Sequence, residues 1–305
     1  MTIHDLRPTQ SFTAEGWTQR RIAQACASGK LDRLRRGVYS VPVIGDAEAR
    51  HRRLAAAATS LRTTGSVVSH TSAAVFHGLP VRRAALERIH LTRAEGGHGR
   101  HEAGVHLHHA PLAASEITLI DGVPVTTLER TIADIGRMET FAWGVVLTDA
   151  ALAREPDRIL LADYVDSGRR RRGNRTLTSV LEFADPRAES PAESLSRVSM
   201  LRAGIPRPEL QFDIVNADGE WVARSDFGWP ELGVVGEVDG RVKYDSPDRG
   251  RSPSEVIAAQ VQREELIKRC GWWVTRWDWE TAVDHQLLGE HLRQAFRAAH
   301  SYRAD

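Results

Sequence analysis

The stretch "SDFGWPELGVVGEVDGRVKY", residues 225–244, decides how the last third of this chain is read. Val234 and Val235 open like a buried strand. Glu237 and Asp239 then stand two residues apart, on one strand face, ahead of Gly240 and Lys243. Taken alone, Asp-Gly between valines is a β-hairpin signal with its carboxylates on a wet face. The wider context changes that reading. Asp226 stands eleven residues before Glu237, beside apolar Phe227 and Trp229. A hairpin around Pro230–Gly233 would bring Asp226 and Glu237 together, and carboxylates a few ångströms apart repel unless a cation or proton intervenes. Glu193 on the preceding helix can add a third carboxylate, and Lys243 a cation. Phosphodiester cleavage needs such parts: carboxylates to hold Mg²⁺ and a lysine to orient water or neutralise developing charge.

The flanking segments supply a frame for this strand. "SPAESLSRVSMLRAGIP" reads as a helix capped by Ser190, with Pro191 in its first turn and a stop at Gly204 and Pro206. "PELQFDIV", "WVARSDFGWP" and "GVVGEVDG" read as strands, the first two joined by "ADGE". "SEVIAAQVQREELIKRCG" is an amphipathic helix, "WWVTRWDW" a fourth strand and "HQLLGEHLRQAFRAAH" a last helix. The order αβββαβα suits a small mixed sheet between helices.

Residues 186–305 resemble the PD-(D/E)XK nuclease superfamily, near the very-short-patch-repair endonuclease branch. The carriers are "SDFGWPELGVVGEVDGRVKY" and "REELIKRCGWWVTRWDW", which match a pattern of "DF…WP…EVDG" followed by "R…GW.V.R". The resemblance implies a restriction-endonuclease-like core. It implies Mg²⁺ or Mn²⁺ held by Asp226, Glu237 and the Val238 carbonyl, with help from Glu193, and products carrying 5′-phosphates. One position departs from the pattern: the superfamily has lysine two residues after the strand glutamate, and here Asp239 stands there. Lys243 is the expected replacement.

Residues 1–45 read as a helix within "EGWTQRRIAQACASGK", stopped at Gly29, then a basic hairpin, "LDRLRRGVYSVP". That is the order of a winged helix-turn-helix, whose wing arginines Arg33, Arg35 and Arg36 would meet DNA phosphates. A small helix–hairpin packed on the next domain is the plainer reading. Residues 46–182 read as an α/β middle domain. Its helices include "AEARHRRLAAAATSL", "TTLERTIADIGRM" and "TFAWGVVLTDAALA", and a further helix after Val68 is expected to be capped by Ser69 or Thr71. "RIHLTRA" and "GVHLHHA" read as strands. His106 and His108 share a strand face; with no Cys or helical His at a recognised spacing, they read as a solvated face rather than a metal pair. "KLDRLRRGVYSVP", "VVSHTSAAVFHGLPV" and "GVPVTTLERTIADI" are similar to AbiEi-type antitoxins. That resemblance implies a DNA-binding head and raises a cognate toxin protein as a partner.

Composition bounds the rest. Hydrophobic residues make up 41% and charged residues 27% of the 305 residues, as in soluble globular proteins. Arginine supplies nearly all the positive charge, with lysine only at 30, 243 and 268, and Arg169, Arg170, Arg171 and Arg172 form a run. Guanidinium forks suit phosphates, although such a run can also be a solvated loop. Two distant cysteines, no signal-peptide pattern and no membrane-length apolar run lead to the expectation of a reduced cytoplasmic setting without membrane association. The expected fold is α/β (α+β) in three parts. The expected activity is metal-dependent endonucleolytic cleavage of DNA; the alternative is a DNA-binding regulator or antitoxin with an inactive nuclease-like domain.

Overall fold

The computed structural model describes residues 6–42, 46–60, 65–94, 100–102, 104–239 and 253–304. They form a mixed α+β protein of two compact units, residues 1–147 with 155–180, and residues 148–154 with 181–305. The expected head (1–45) and middle domain (46–182) therefore fall together in the first unit, apart from residues 148–154 and the last two. Among the described residues no helix is long and apolar enough to cross a membrane.

The first unit opens with β1 (Arg7–Pro8), α1 (Thr9–Ala14), α2 (Gln19–Ala27), β2 (Asp32–Arg35) and β3 (Val38–Ser40). Gly16, at φ 79°, lets the chain turn between the two helices, and Thr18 caps α2 by accepting from the Arg21 N–H. The three strands are ordered β1-β3-β2, so the β2–β3 hairpin is closed by a strand from before the helices. Phe12 and Ile22 are buried beneath it.

A six-stranded mixed sheet follows, ordered β6-β7-β5-β4-β9-β8. Its strands are β4 (Ser66–Val68), β5 (Ile89–Arg93), β6 (Arg100–Glu102), β7 (Val105–His109), β8 (Ile117–Ile120) and β9 (Val123–Thr126). The helices α3 (Ala47–Ser60), α4 (His70–Phe76), α5 (Leu128–Met138), α6 (Phe141–Leu152), α7 (Arg158–Ser167) and α8 (Asn174–Phe183) accompany it. Ile89, Leu91, Val105 and Leu107 alternate into a core with alanines 55, 56 and 58 of α3. β8 and β9 are joined by Asp121-Gly122, both at positive φ, the two-residue turn that favours hairpins. The cap of α5 is Thr127. Ser69 precedes α4 but its side chain makes no cap bond, contrary to the sequence expectation.

The second unit has α9 (Pro191–Ala203), β10 (Glu209–Val215), β11 (Trp221–Trp229), β12 (Val234–Asp239), α10 (Pro253–Arg269), β13 (Trp273–Asp278), α11 (Trp279–Val283) and α12 (His285–Ala304). Ser190 accepts the Glu193 N–H while the Glu193 carboxylate accepts the Glu189 N–H, a reciprocal cap, and Gly204 ends α9 in the left-handed region. The sheet runs β10-β11-β12-β13, antiparallel except for the last, parallel pair. A parallel pair needs a crossover, and α10 lies in it. β12 is covered on both faces, which is why it begins with adjacent valines. Val234 and Val238 join Phe227, Trp229, Trp277 and Leu288 in one core; Val235 joins Ile214, Ala223 and Ile267 in the other. At Gly236 any side chain would strike the Trp277 ring. Gly240 lies outside the described residues, so the expected Asp-Gly turn falls there too.

Candidate functional site

The β11–β12 hairpin closes through a 3₁₀ turn, Pro230–Leu232, and Gly233 at φ 64°. Its ladder pairs Trp229 with Val234, Gly228 with Val235 and Phe227 with Gly236. Asp226 and Glu237 are the next residue on each strand. Side chains take over the bonding here: Asp226 Oδ2 accepts the Val238 N–H at 2.9 Å, and Ser225 Oγ donates to the Gly236 carbonyl at 2.8 Å. On the other side of β11, Leu210 pairs with Phe227 and Phe212 with Ser225, which leaves Gln211 across from Asp226. Gln211 has φ 52°, a left-handed conformation that is strained for a non-glycine residue. Its amide donates to Glu193 Oε2 at 2.9 Å, and burial raises the Glu193 pKa. The chain thus gathers Glu193, Gln211, Asp226 and Glu237 along one row.

Two arginines complete the site, and sequence reasoning gave neither a role. Arg276, directly across from Glu237 on β13, donates through Nε to Glu237 Oε2 at 2.9 Å. Arg263 on α10 donates to Glu237 Oε1 at 2.5 Å and also to the Arg224 carbonyl. Glu264 is bonded to Arg276 and to Lys268, which hold its carboxyl below the usual range; the Lys268 bond is the largest cause. Arg263 and Arg276 are the two arginines of the "R…GW.V.R" pattern, so the signal was present without a geometry to interpret it. Asp239, half-buried, ends β12 across from Asp278. Lys243 lies outside the described residues.

A hard divalent ion takes carboxylate and carbonyl oxygens. Asp226, Glu237 and the Val238 carbonyl are of that donor chemistry, and Asp226 and Glu237 are neighbours across the β11–β12 ladder. Both Glu237 oxygens carry guanidinium partners. Arg263, whose side chain is 39% exposed against 20% for Arg276, is the one placed to yield.

In the first unit, α2 exposes Gln19, Arg20, Arg21, Ala23 and Gln24, and the wing exposes Arg33 and Arg36 while Arg35 is half-buried. A recess of about 540 Å³ lies among Gln19, Ile22, Arg33, Arg36 and Tyr39. Arg169, Arg170, Arg171 and Arg172 are all exposed in the turn between α7 and α8, with Arg169 bonded to Asp166.

The histidine strand face is not a solvated one. His90 is buried and His106 and His108 are half-buried; β5 and β7 pair in parallel, setting His90 beside His106 and Thr92 beside His108. His70, the first residue of α4, stacks on His108 with ring centres 3.7 Å apart. Burial first, then the charges of His90 and Arg130, holds the His70 pKa well below the ordinary histidine value. No spacing rule links residues 70, 90 and 108, which explains why the sequence did not disclose the group.

No family model matches the chain. Two curated relatives, the uncharacterized proteins MT2308 and Rv2248 from two strains of Mycobacterium tuberculosis, are each 32% identical over 155 residues. That alignment covers 50% of this chain and 54% of theirs, so the chain spans about half the length of the curated relatives it matches. Among solved structures, the RV2827C protein from Mycobacterium tuberculosis is similar with a TM-score of 0.41 and 15% identity, over 63% of this chain and 75% of that one.

Proposed function

We propose that this protein binds DNA and cleaves it as a divalent-metal-dependent endonuclease whose centre is Asp226 and Glu237. One observation carries this reading: the end of the β11–β12 ladder gathers two carboxylates, a backbone carbonyl, a strained Gln211 tied to Glu193, and two arginines. A divalent ion bound there would polarise a phosphoryl oxygen and acidify water. Asp226 and Glu237 would hold the ion with the Val238 carbonyl. Asp226, bonded to the Val238 N–H, fixes the spacing of the two strands. Arg263 turns from Glu237 to the scissile phosphate, supplying in planar form the positive charge that Asp239 cannot. Glu193 orients Gln211.

The first unit supports the DNA part. α1, a tight turn and α2 form a helix-turn-helix whose exposed face carries Arg20 and Arg21, and Arg33 and Arg36 stand on the adjoining hairpin. Such a helix suits the major groove and such a wing the phosphates. Arg35 and Arg169–Arg172 are further phosphate-binding candidates by charge.

The test is incubation of supercoiled plasmid with the full chain and Mg²⁺ or Mn²⁺. Wild type should nick it and Asp226→Ala should not. Equal behaviour of the two rejects the nuclease reading. The regulator or antitoxin reading then stands, with a specific promoter as ligand and a cognate toxin as partner.

A further inference from the structure

We infer that His70, His90 and His108 form a binding site for a divalent transition-metal ion of the zinc class, independent of the carboxylate site. One ligand nitrogen from each lies within 4.8 Å of the others, and His90 Nδ1 and His108 Nε2 are 2.9 Å apart. Metal–nitrogen bonds of about 2.0–2.1 Å in tetrahedral geometry set ligand nitrogens roughly 3.3 Å apart, and an ion lies in the plane of each ring that holds it, so binding turns the His70 ring out of its stack on His108.

The chain goes to some length to build this cluster. β5 and β7 alternate, sending Ile89, Leu91, Val105 and Leu107 to the core, while His90, His106 and His108 share the other face. His70 comes from a different element and reaches them with φ 52°, a conformation costly to a residue with a Cβ. Its Nδ1 lies 3.0 Å from Ser69 Oγ, which also accepts the Thr92 hydroxyl at 2.7 Å, and 4.0 Å from Asp134 Oδ2. In the tautomer whose Nδ1–H donates to the Ser69 hydroxyl, with the Asp134 carboxylate nearby, the ring is oriented and Nε2 is left for a metal, the usual arrangement behind a ligating histidine. Asp134 is itself held by Arg130 Nε at 3.0 Å. Access is restricted: His90 is 8% exposed and the His70 side chain 11%.

The donor set selects the ion. Three neutral imidazoles suit Zn²⁺, Ni²⁺, Co²⁺ or Cu²⁺ and not Mg²⁺ or Ca²⁺. Three histidines leave a fourth position for water or an exchangeable ligand. His106 stacks on His108 with centroids 3.9 Å apart, and acts as a positioning residue.

The experiment uses the full chain, stripped with a chelator and titrated with Co²⁺ and then Zn²⁺. Expected are about one Co²⁺ per chain, the intense visible spectrum of a tetrahedral nitrogen-ligated ion, and its displacement by Zn²⁺. His90→Gln with His108→Gln should weaken Zn²⁺ binding by more than about 100-fold, beyond what loss of a supporting partner costs. His106→Gln should stay within about tenfold, and Asp226→Ala should leave the tetrahedral Co²⁺ spectrum and its displacement by Zn²⁺ unchanged. A weak octahedral Co²⁺ spectrum with no tetrahedral component, no stoichiometric uptake, or unaltered Zn²⁺ binding in the double variant each overturns the inference. If the double variant loses its circular dichroism, wild-type imidazole NMR decides. Zn²⁺ must shift the ring resonances of His70, His90 and His108, and shifts confined to other histidines reject the site.

Discussion

The carboxylate row of the second unit and the histidine cluster of the first share features of construction and gather opposite donor atoms. Each lies against a non-glycine residue at φ 52°, Gln211 in one case and His70 in the other, and each is steadied by a buried acid, Glu193 or Asp134. The first gathers hard oxygens, and its anionic charge is met by guanidinium groups from neighbouring elements. The second gathers imidazole nitrogens close together, and nearby Arg130 is bonded to Asp134. Positive φ alone does not set these places apart, since Asp121 in the β8–β9 turn shares it; the donor atoms gathered there are what differ.

The comparison breaks if every buried carboxylate–arginine pair of the second unit behaves alike. Asp149 tests this with the largest expected effect. It is buried, accepts from Arg197 and Ser194 at 2.7 Å each and from the Asp185 N–H at 2.8 Å, and has no strained neighbour in its row. Asp149→Ala leaves Arg197 with the Phe183 carbonyl but without its carboxylate, and should cost about 3–5 kcal/mol of stability, read as a lowered denaturation midpoint. Glu237→Gln should leave that midpoint nearly unchanged and reduce cleavage instead.

Next in size, Asp226→Asn should lower the Mg²⁺-dependent cleavage rate on the order of 10²–10³-fold, with Zn²⁺ uptake at the histidines intact. Loss of both functions together would show that the two sites are not independent. Smaller again, Arg33→Ala with Arg36→Ala should weaken DNA binding on the order of tenfold and reduce the slope of log affinity against log salt by about 2. An unchanged slope removes the wing from the DNA interface.

The smallest effect concerns pH. Burial chiefly raises the Asp149 pKa above 3.8, against the opposing pull of Arg197. The folded state then holds this proton more tightly than the unfolded one. Its contribution to stability is therefore greatest below 3.8 and is lost as pH rises through the folded pKa. Asp149→Asn should flatten that part of the midpoint-against-pH curve, and an identical curve in the variant would assign the dependence elsewhere.

The second unit was largely legible in sequence because its signals are local. Ser190 and Pro191 write a helix start, Gly204 a stop, and Ala217–Glu220 a turn. The row at Asp226 and Glu237 could be anticipated because one short hairpin closes it. The first unit was less legible for the same reason. The Asp121-Gly122 hairpin lacks an alternating polar face, and β1 is two residues long, so both passed unread.

By itself, then, the sequence determined the elements of the second unit except α11, the pairing of Asp226 with Glu237, and the basic helix–hairpin at the start. Each depends on contacts between residues close along the chain, where capping, turn chemistry and period-2 alternation act directly. Only the tertiary structure decided that Arg263 and Arg276 meet on Glu237, that Gln211 links Glu193 to that row, and that His70, His90 and His108 converge. A crossover helix and a parallel strand pair make those contacts, and both join residues whose separation in sequence carries no periodic signal.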